Sequence, residues 1–395
     1  MYRFRDMRPG VPRKAWKALR LLTWGLVGLI VLDLVLRGRG ILRQQSTDCL
    51  SRCTFPMREA DPNVRTYEYN NTFSAYKHFG DRCNISSLDI HVPYEPVCPT
   101  RASMLTAMSS GGRIGRDAIY IPRGCDMRWY TTEEVCKILG RFSQVILVGD
   151  SMLRHVIGAL NIIVREDLGY GGVTDWNFDA REKERCFCND QFDVTDCSVQ
   201  GIYKTEDVIK HDPGSLACPR LVPGWSTDIR MEQMVRYPME GVELDRLKKA
   251  IDSNSNTRKA FILGHGLWND LELEKAKSWL NTVLDVIDSK LNLRVDLKRS
   301  YRGKNLPVLL MTPNAAGAKK PDEYILTQGN KALVHFEHAM AQEAATHSID
   351  HLGTWNMSIQ ANLYDGVHMD LRGNLLKAMM VVNWLDLLSN EDTGA

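Results

Sequence analysis

The sequence predicts an α/β protein in which helices cover both faces of a parallel β-sheet. Three short apolar runs, at 145–148, 260–264 and 306–312, have the length and composition of strands buried on both faces. Segments with helical spacing of apolar residues lie between and after them, and strands that alternate with helices are typical of doubly wound parallel sheets. At 395 residues and 44% hydrophobic content, the chain can bury a large core.

The first strand leads directly into the most informative turn of the sequence. The strand 145–148 ends at Gly149, Asp150 and Ser151 follow, and 152–160 has apolar residues at helical spacing. This order places the Ser151 hydroxyl at the carboxyl end of a strand, where open α/β sheets form their sites. Backbone N–H groups at the start of the helix face the same point and can stabilise negative charge there.

The later elements follow the same alternation. The strand 260–264 runs into the polar cluster from His265 to Asp270, and a helix is predicted over 271–291. The third strand, 306–312, is followed by a predicted helix over 322–345. The remaining predictions are a last strand over 348–356 and a closing amphipathic helix over 369–388.

A second chemical motif lies just before the closing helix. Asp365, Gly366, Val367 and His368 form an Asp-x-x-His sequence, in which one turn can direct both side chains to a common point. A serine is a poor nucleophile unless a base activates it and a third group orients that base. The two motifs therefore predict Ser151 as nucleophile, His368 as base and Asp365 as the residue that holds the imidazole tautomer.

These motifs resemble the SGNH, or GDSL-type, hydrolase superfamily. The longer string GDSMLR, which includes Gly149, Asp150 and Arg154, resembles more narrowly its PC-esterase branch. That branch includes plant trichome birefringence-like polysaccharide O-acetyltransferases and the lumenal domains of sialic-acid and capsule O-acetyltransferases. The resemblance covers roughly 125–388. It implies an SGNH-like fold with a flavodoxin-like parallel sheet, and an enzyme that transfers or hydrolyses acyl groups.

The resemblance also implies an oxyanion donor near the second strand. In SGNH enzymes an asparagine of a Gly-x-Asn-Asp block helps to bind the oxyanion. Here Gly266 and Asn269 are one residue further apart, so that Asn269 and His265 are both candidate donors. An alternative is that Asn269 and Asp270 only cap the following helix.

The amino-terminal segment predicts a membrane anchor. Residues 1–43 contain ten basic and two acidic residues, and 21–36 is an apolar run whose only charge is Asp33. Sixteen helical residues span roughly 24 Å, slightly less than a bilayer core, and flanking arginines and tryptophans can anchor them. We predict a cytosolic tail (1–20), a signal anchor (21–40) and a lumenal remainder in the Golgi or endoplasmic reticulum. A cleaved signal peptide, which would give a secreted protein, and a buried soluble helix are the alternatives.

The cysteine distribution points to the same compartment. All ten cysteines lie beyond the apolar run, which predicts disulfides in an oxidising environment rather than a reduced cytosolic protein or a zinc site. Asn70, Asn84 and Asn356 begin N-glycosylation sequons. The segment 41–130 is polar, turn-rich and without helical period, which indicates a cysteine-rich stem or subdomain ahead of a catalytic domain over 131–395.

The segment 169–218 is predicted to be a long irregular insertion that disulfides hold as a wall of the substrate cleft. Trp176 and Trp225 are candidate sugar-stacking residues, with burial in the core as the alternative. Histidines at 335, 338, 347 and 351 have no acidic partner at a convincing spacing, so no metal is predicted.

Together these features predict a lumenal O-acyltransferase, in which acetyl transfer to a glycan or polysaccharide hydroxyl is the preferred reaction. An SGNH-type carbohydrate or lipid esterase with the same triad, or a catalytically silent glycan-binding protein, are the alternatives. No bound cofactor is predicted. The acyl donor is not identified: acetyl-CoA and an acylated intermediate are both candidates, and a separate multi-spanning protein could supply the acyl group. A net charge of only +2 argues against a nucleic-acid partner.

Overall fold

A computed structural model describes the greater part of the chain from residue 72 onwards. The described residues are 72–80, 82–83, 85, 96–113, 118–218, 227–235, 241–251, 258–291 and 307–392. The predicted tail 1–20 and anchor 21–40, together with Asn70, Asn84 and Trp225, lie outside these ranges. Within them, no helix combines the length and the apolar character that crossing a bilayer requires. Residues 69–395 belong to one compact unit.

The core of this unit is a five-stranded sheet in which every strand pair is parallel. The strands are β1 (Gln144–Gly149), β2 (Asp228–Gln233), β3 (Lys259–Gly264), β4 (Val308–Met311) and β5 (Asp350–Leu352). Their spatial order is β2-β1-β3-β4-β5. The predicted α/β class with a parallel sheet is therefore confirmed.

Thirteen α-helices are present in the described part of the chain. They are α1 (Arg101–Ser110), α2 (Thr132–Leu139), α3 (Ser151–Arg165), α4 (Ala180–Glu184), α5 (Asp190–Asp193), α6 (Thr195–Val199), α7 (Thr205–His211), α8 (Gly241–Ala250), α9 (Leu273–Leu291), α10 (Asp322–Gln328), α11 (Asn330–Thr346), α12 (Trp355–Ser358) and α13 (Leu371–Asp392). Two short 3₁₀ helices cover Pro213–Ser215 and Leu267–Asn269.

Alternate residues of β1 point into two separate cores, because successive side chains of a strand face opposite sides of the sheet. Val145 and Leu147 pack in one core with residues of α1, α2, α3 and α13. Ile146 and Val148 pack in the other with residues of α8, α9 and α11. Helices therefore cover both faces, as a doubly wound sheet requires.

Several predicted boundaries are wrong in detail. The helix expected over 322–345 is two helices, α10 and α11, because Gly329 between them is extended (φ −74°, ψ 171°) and caps α11. A β-carbon at Gly329 would lie 2.4 Å from the Ile325 carbonyl oxygen, so the break also requires a residue without a side chain. The strand expected over 348–356 is only β5, and α12 follows it after two residues.

Other elements were not predicted at all. Strand β2 has the sequence DIRMEQ, in which charged residues alternate with the buried Ile229 and Met231. It is the last strand on its side of the sheet, where charged side chains are tolerated. Helix α1 lies in a segment without helical period; a Thr100–Ser103 capping box starts it. The segment 169–218 is not structureless, since it contains α4 to α7.

Eight of the ten cysteines form four disulfides. The pairs are Cys83–Cys188, Cys98–Cys125, Cys136–Cys218 and Cys186–Cys197. Cys186, Cys188, Cys197 and Cys218 all belong to the segment 169–218, which confirms that disulfides hold it. Disulfides of this number indicate a protein from an oxidising compartment of the secretory pathway.

The first testable prediction is this pairing. Chymotryptic digestion of the unreduced full-length protein, with cleavage after Phe187 and Phe192 between the neighbouring cysteines, should release the four cross-linked peptide pairs, and mass spectrometry should find each pair separated only after reduction. Alkylation before reduction should leave these eight cysteines unlabelled, because a disulfide sulfur does not react with iodoacetamide. Quantitative labelling of Cys186 or Cys197 in the native, unreduced protein would contradict the structure.

Candidate active site

The turn between β1 and α3 is tightly constrained by its neighbours. Gly149 pairs with Gly264 in the adjacent strand, and a β-carbon at Gly149 would lie 1.8 Å from the Gly264 carbonyl oxygen. Asp150 is the N-cap of α3, and its carboxylate accepts a hydrogen bond of 3.0 Å from the Met152 N–H. Ser151 is then the first helical residue, and its own N–H has no partner within the helix.

The Asp-x-x-His turn is built by the aspartate itself. The Asp365 Oδ1 accepts hydrogen bonds from the backbone N–H groups of Val367 (2.9 Å) and His368 (2.8 Å). Gly366, which directly follows Asp365, has φ 88°, and a β-carbon at this position would lie 2.1 Å from the Lys320 backbone nitrogen. The motif thus needs a glycine at this position to bring the two functional side chains together.

The structure brings Ser151, His368 and Asp365 into one hydrogen-bonded line. The Ser151 Oγ lies 2.6 Å from the His368 Nε2, and the His368 Nδ1 lies 2.7 Å from the Asp365 Oδ2. An ionised carboxylate only accepts hydrogen bonds, so the imidazole Nδ1–H donates to Asp365. The Nε2 lone pair then accepts the serine O–H, which is the arrangement that a general base requires.

Asp365 is held in its ionised form. Burial acts to raise its pKa, but the hydrogen bonds from the His368 side chain and from the two backbone N–H groups outweigh burial and lower the pKa to about 2. The carboxylate is therefore ionised at any pH at which the protein is expected to work. Its side chain is 42% exposed, whereas that of His368 is 17% exposed.

The three residues line a cleft of about 480 Å³, a volume usual for small-molecule sites. The other lining residues are Leu267, Trp268, Asp270, Lys320, Pro321, Tyr324, Gln328 and Val367. In the strand order β2-β1-β3-β4-β5, the chain changes direction along the sheet between β1 and β3. The cleft lies past the carboxyl ends of these two strands, because Ser151 follows β1 and residues 267–270 follow β3.

The two candidate oxyanion donors lie in different surroundings. Asn269 belongs to the 3₁₀ turn Leu267–Asn269, and its Nδ2 is buried with no hydrogen-bond partner among the described residues. His265 is buried at the carboxyl end of β3, where it lines a small cavity together with Asp150 and Lys377. Burial lowers the pKa of His265, so its imidazole is neutral near pH 7.

The helix-cap alternative for Asn269 and Asp270 is wrong. Helix α9 begins at Leu273, three residues after Asp270. Asp270 has a left-handed backbone (φ 52°), and its Oδ1 accepts hydrogen bonds from Thr327 (3.1 Å) and Gln328 (2.8 Å). It therefore connects the turn to α10 and does not cap α9.

A second histidine, which the sequence did not single out, lies beside the triad. His155 is one helical turn after Ser151, and its ring centroid is 4.7 Å from that of His368. Both ring nitrogens of His155 are buried with no hydrogen-bond partner in the described part of the chain. Burial, and secondarily His368, lower the pKa of His155 well below its usual value, so a neutral ring packs beside the His368 imidazole. The Arg154 Nε of the GDSMLR string is likewise buried and has no partner among the described residues.

A buried lysine lies beneath the serine turn. Lys377 of α13 is almost completely inaccessible, and its Nζ donates a hydrogen bond to the Asn314 Oδ1. Burial lowers the pKa of Lys377 to about 7, although the charge of the nearby Asp150 carboxylate opposes this shift. Asn314 in turn donates to the Val367 carbonyl oxygen at 2.9 Å, which links the lysine to the turn that carries His368.

The remaining predicted site residues lie elsewhere. Trp176 is partly buried: it packs against the edge of one core and stacks on His211, with ring centroids 4.8 Å apart, and it does not line the cleft that contains Ser151. The Asn356 side-chain amide donates to the Ser109 carbonyl oxygen at 2.9 Å. Among the described residues, no group of three His, Cys, Asp or Glu side chains could hold a metal ion.

Comparison of the chain with protein-family models, with curated proteins and with solved structures finds no match. What can be said about function therefore depends on the site itself.

The buried lysine gives a prediction about stability. Between pH 7 and about 10.5, the Lys377 side chain keeps its proton in the unfolded chain but loses it in the folded chain. The contribution of Lys377 to the free energy of unfolding therefore increases with pH over this range. Over that window the melting temperature of the wild type, relative to Lys377→Met, should increase with pH. Thermal unfolding at half-unit pH steps measures this difference.

Lys137→Met is the matched control for this experiment, because Lys137 is 59% exposed on the surface of α2, where it pairs with Glu133. The difference in melting temperature between the wild type and Lys137→Met should not vary with pH over the same range. If the difference in melting temperature between the wild type and Lys377→Met were also independent of pH, the inference that burial lowers the pKa of Lys377 would be contradicted.

Proposed function

We propose that this protein is a serine acyltransferase that moves an acyl group, preferably acetyl, to a hydroxyl of a glycan. The observation that carries the proposal is the Ser151–His368–Asp365 line of hydrogen bonds at the wall of an open cleft. The three residues have the order and the contacts by which such triads activate a serine. The parallel sheet with order 2-1-3-4-5 is also consistent with the SGNH-like fold that the motifs imply.

In the first half of the reaction, the Ser151 Oγ attacks the acyl carbonyl carbon while its proton passes to the His368 Nε2. The tetrahedral intermediate then collapses, and the imidazolium returns the proton to the leaving group of the donor. In the second half, His368 removes a proton from an acceptor hydroxyl, whose oxygen attacks the acyl-serine carbonyl carbon. The bond between the acyl carbon and the Ser151 Oγ then breaks, and the imidazolium returns the proton to that Oγ, which regenerates the free serine. Asp365 holds the tautomer and stabilises the imidazolium in both halves.

The carbonyl oxygen needs donors while it carries negative charge. The Ser151 backbone N–H, at the positive end of α3, is one donor in this proposal. The buried Asn269 Nδ2, which has no other partner among the described residues, supports Asn269 as the second donor. Neither Asn269 nor His265 lines the cleft itself, but Asn269 lies on the turn whose other two residues, Leu267 and Trp268, do line it, which makes His265 the weaker candidate.

An esterase that uses the same triad is the second candidate. The observation in its favour is the exposure of the site, since Asp365 is 42% exposed and water can compete with a sugar hydroxyl for the acyl-enzyme. The resemblance of the GDSMLR string to polysaccharide O-acetyltransferases favours transfer. Hydrolysis of 4-nitrophenyl acetate, with and without oligosaccharides as acceptors, separates the two.

Substitutions of the triad residues should each lower the activity, and their effects should not add when they are combined. Ser151→Ala and His368→Ala should each abolish turnover of 4-nitrophenyl acetate, and the double variant should be little worse than either. Asp365→Asn should fold normally but lose activity by as much as ~10⁴-fold, because the imidazole tautomer is no longer fixed. Asn269→Ala should lose on the order of 10²- to 10³-fold if it is an oxyanion donor.

Ser110→Ala is a matched control, because this serine ends α1, its hydroxyl donates locally to the Ala107 carbonyl oxygen, and it does not line the cleft that contains Ser151. It should leave turnover unchanged. Full activity of the Ser151→Ala variant would end the proposal, whatever the other variants do.

We also propose that the chain is a single-pass type II membrane protein of the Golgi or endoplasmic reticulum. The basic residues of 1–20 and the apolar run 21–36 support this orientation by the positive-inside rule. The disulfides agree with a lumenal location for residues from 83 onwards.

This topology predicts protection of the larger part of the chain. In sealed microsomes, residues beyond about 40 should resist added protease until detergent opens the vesicles. At least one of Asn70, Asn84 and Asn356 should carry a glycan, seen as a mobility shift after endoglycosidase treatment. Complete digestion without detergent, together with no mobility shift, would refute the proposed orientation.

A further inference from the structure

A tryptophan is exposed inside the cleft that contains Ser151. Trp268 has 62% of its surface accessible, which is unusual for a large side chain that could otherwise be buried. It lies on the 3₁₀ turn Leu267–Asn269, directly after β3, and lines the same cleft as the triad. Sequence reasoning assigned sugar stacking to Trp176 and Trp225 and did not consider this residue.

Hydrogen bonds from Gln328 hold the turn that carries Trp268, both before and after the tryptophan in sequence. The Gln328 Nε2 donates to the Leu267 carbonyl oxygen at 2.9 Å and to the Asp270 Oδ1 at 2.8 Å. Gln328 is itself buried, and its Oε1 accepts a hydrogen bond of 2.6 Å from the Lys320 Nζ. The exposed ring therefore projects from a fixed backbone, and less conformational entropy is lost when a ligand contacts it.

A second aromatic ring lines the cleft together with polar groups. Tyr324 of α10 is 42% exposed, and the Lys320 Nζ lies 5.5 Å from the centre of its ring. Lys320 and Asp270 also line the cleft, and each retains hydrogen-bonding capacity beyond the bonds described above. Aromatic faces beside donors and acceptors suit a pyranose ring, which presents an apolar C–H face and a rim of hydroxyls.

The charges of the cleft limit which sugars it accepts. Of the residues that line it in the described part of the chain, Asp270 and Asp365 carry negative charge and Lys320 carries positive charge. Burial lowers the pKa of Lys320, which reduces its positive charge at high pH, whereas Asp365 stays ionised. A carboxylate on the sugar would enter a site with an excess of negative charge and would be repelled.

We propose that Trp268 and Tyr324 form the acceptor subsite of this cleft, and that the subsite binds an uncharged pyranose in preference to a sialic or uronic acid. This inference rests on the proposed function for the identity of the cleft as an acyl-transfer site. It goes further because it names the residues that hold the acceptor and the charge class of the acceptor.

The test uses the full-length Ser151→Ala protein, which binds without turnover. Isothermal titration would compare three matched pairs of tetrasaccharides that differ at carbon 6: 1,4-linked glucose, mannose and galactose oligomers and the corresponding uronates. At least one neutral member should bind, and its uronate should bind about tenfold more weakly or not at all. Adding Trp268→Ala should weaken binding about fivefold to tenfold, and Trp268→Phe should restore part of it.

Leu326→Ala is the matched control, because Leu326 is 92% exposed on α10 but does not line the cleft. It should not change the affinity. Binding of no neutral tetrasaccharide, tighter binding of a uronate than of its neutral partner, or unchanged affinity in the Trp268→Ala background would each overturn the inference. Trp268-dependent sedimentation with phosphatidylcholine vesicles, without oligosaccharide binding, would overturn it in favour of a lipid site.

Failure of the proposed function gives a different result. If the protein with Ser151 intact does not turn over 4-nitrophenyl acetate but Trp268-dependent binding of a neutral oligosaccharide is present, the acyltransfer proposal fails. The subsite then stands as that of a carbohydrate-binding protein. If turnover is normal and the oligosaccharide results contradict the subsite, only the inference about the acceptor fails.

Discussion

The interaction on which the site depends is the hydrogen bond between the Ser151 Oγ and the His368 Nε2, which joins residues 217 positions apart in sequence. Its geometry requires two independent placements. The β1–α3 turn fixes the serine through the close contact of Gly149 with Gly264 and through the Asp150 cap. The turn before α13 fixes the histidine through Asp365, whose carboxylate binds both the backbone and the imidazole of His368. A displacement of about an ångström that moved the two turns apart would lengthen the bond beyond hydrogen-bonding distance.

The two turns are joined from below by the buried Asn314, whose Nδ2 contacts both the Met152 Sδ of α3 (3.3 Å) and the Val367 carbonyl oxygen. Lys377 of α13 donates to Asn314, and Asn314 donates to the Val367 carbonyl oxygen, next to His368. Thr354 also donates to Asn314, at 3.2 Å, so the segments after β4 and β5 belong to the same network. Buried networks of this kind are costly when they are incomplete and fix a unique arrangement when they are satisfied. The carboxyl edge of the sheet is therefore a rigid support for the residues above it.

The sequence predicted the parts of this arrangement that are local. Strand β1 and the start of α3 could be identified because a buried parallel strand is a continuous apolar run and its helix has a clear period. Ser151, Asp365 and His368 could be named because their motifs occupy a few adjacent positions, and the structure places them in contact. Strand β2 could not be identified, since charged residues interrupt the apolar run of a strand at the edge of the sheet. His155 and Trp268 could not be distinguished from other histidines and tryptophans, because only the tertiary fold buries the first and exposes the second.

The proposed role of Ser151, a nucleophile that His368 activates, is tested most directly by covalent labelling. The full-length protein would be treated with a fluorophosphonate, which reacts with activated serines, and the modified peptide identified by mass spectrometry. One adduct is expected, on Ser151, and its rate of formation should fall steeply in the His368→Ala variant although the serine hydroxyl is still present. Equal labelling of Ser151 in the wild type and in His368→Ala, or no labelling of Ser151 in either, would contradict this role.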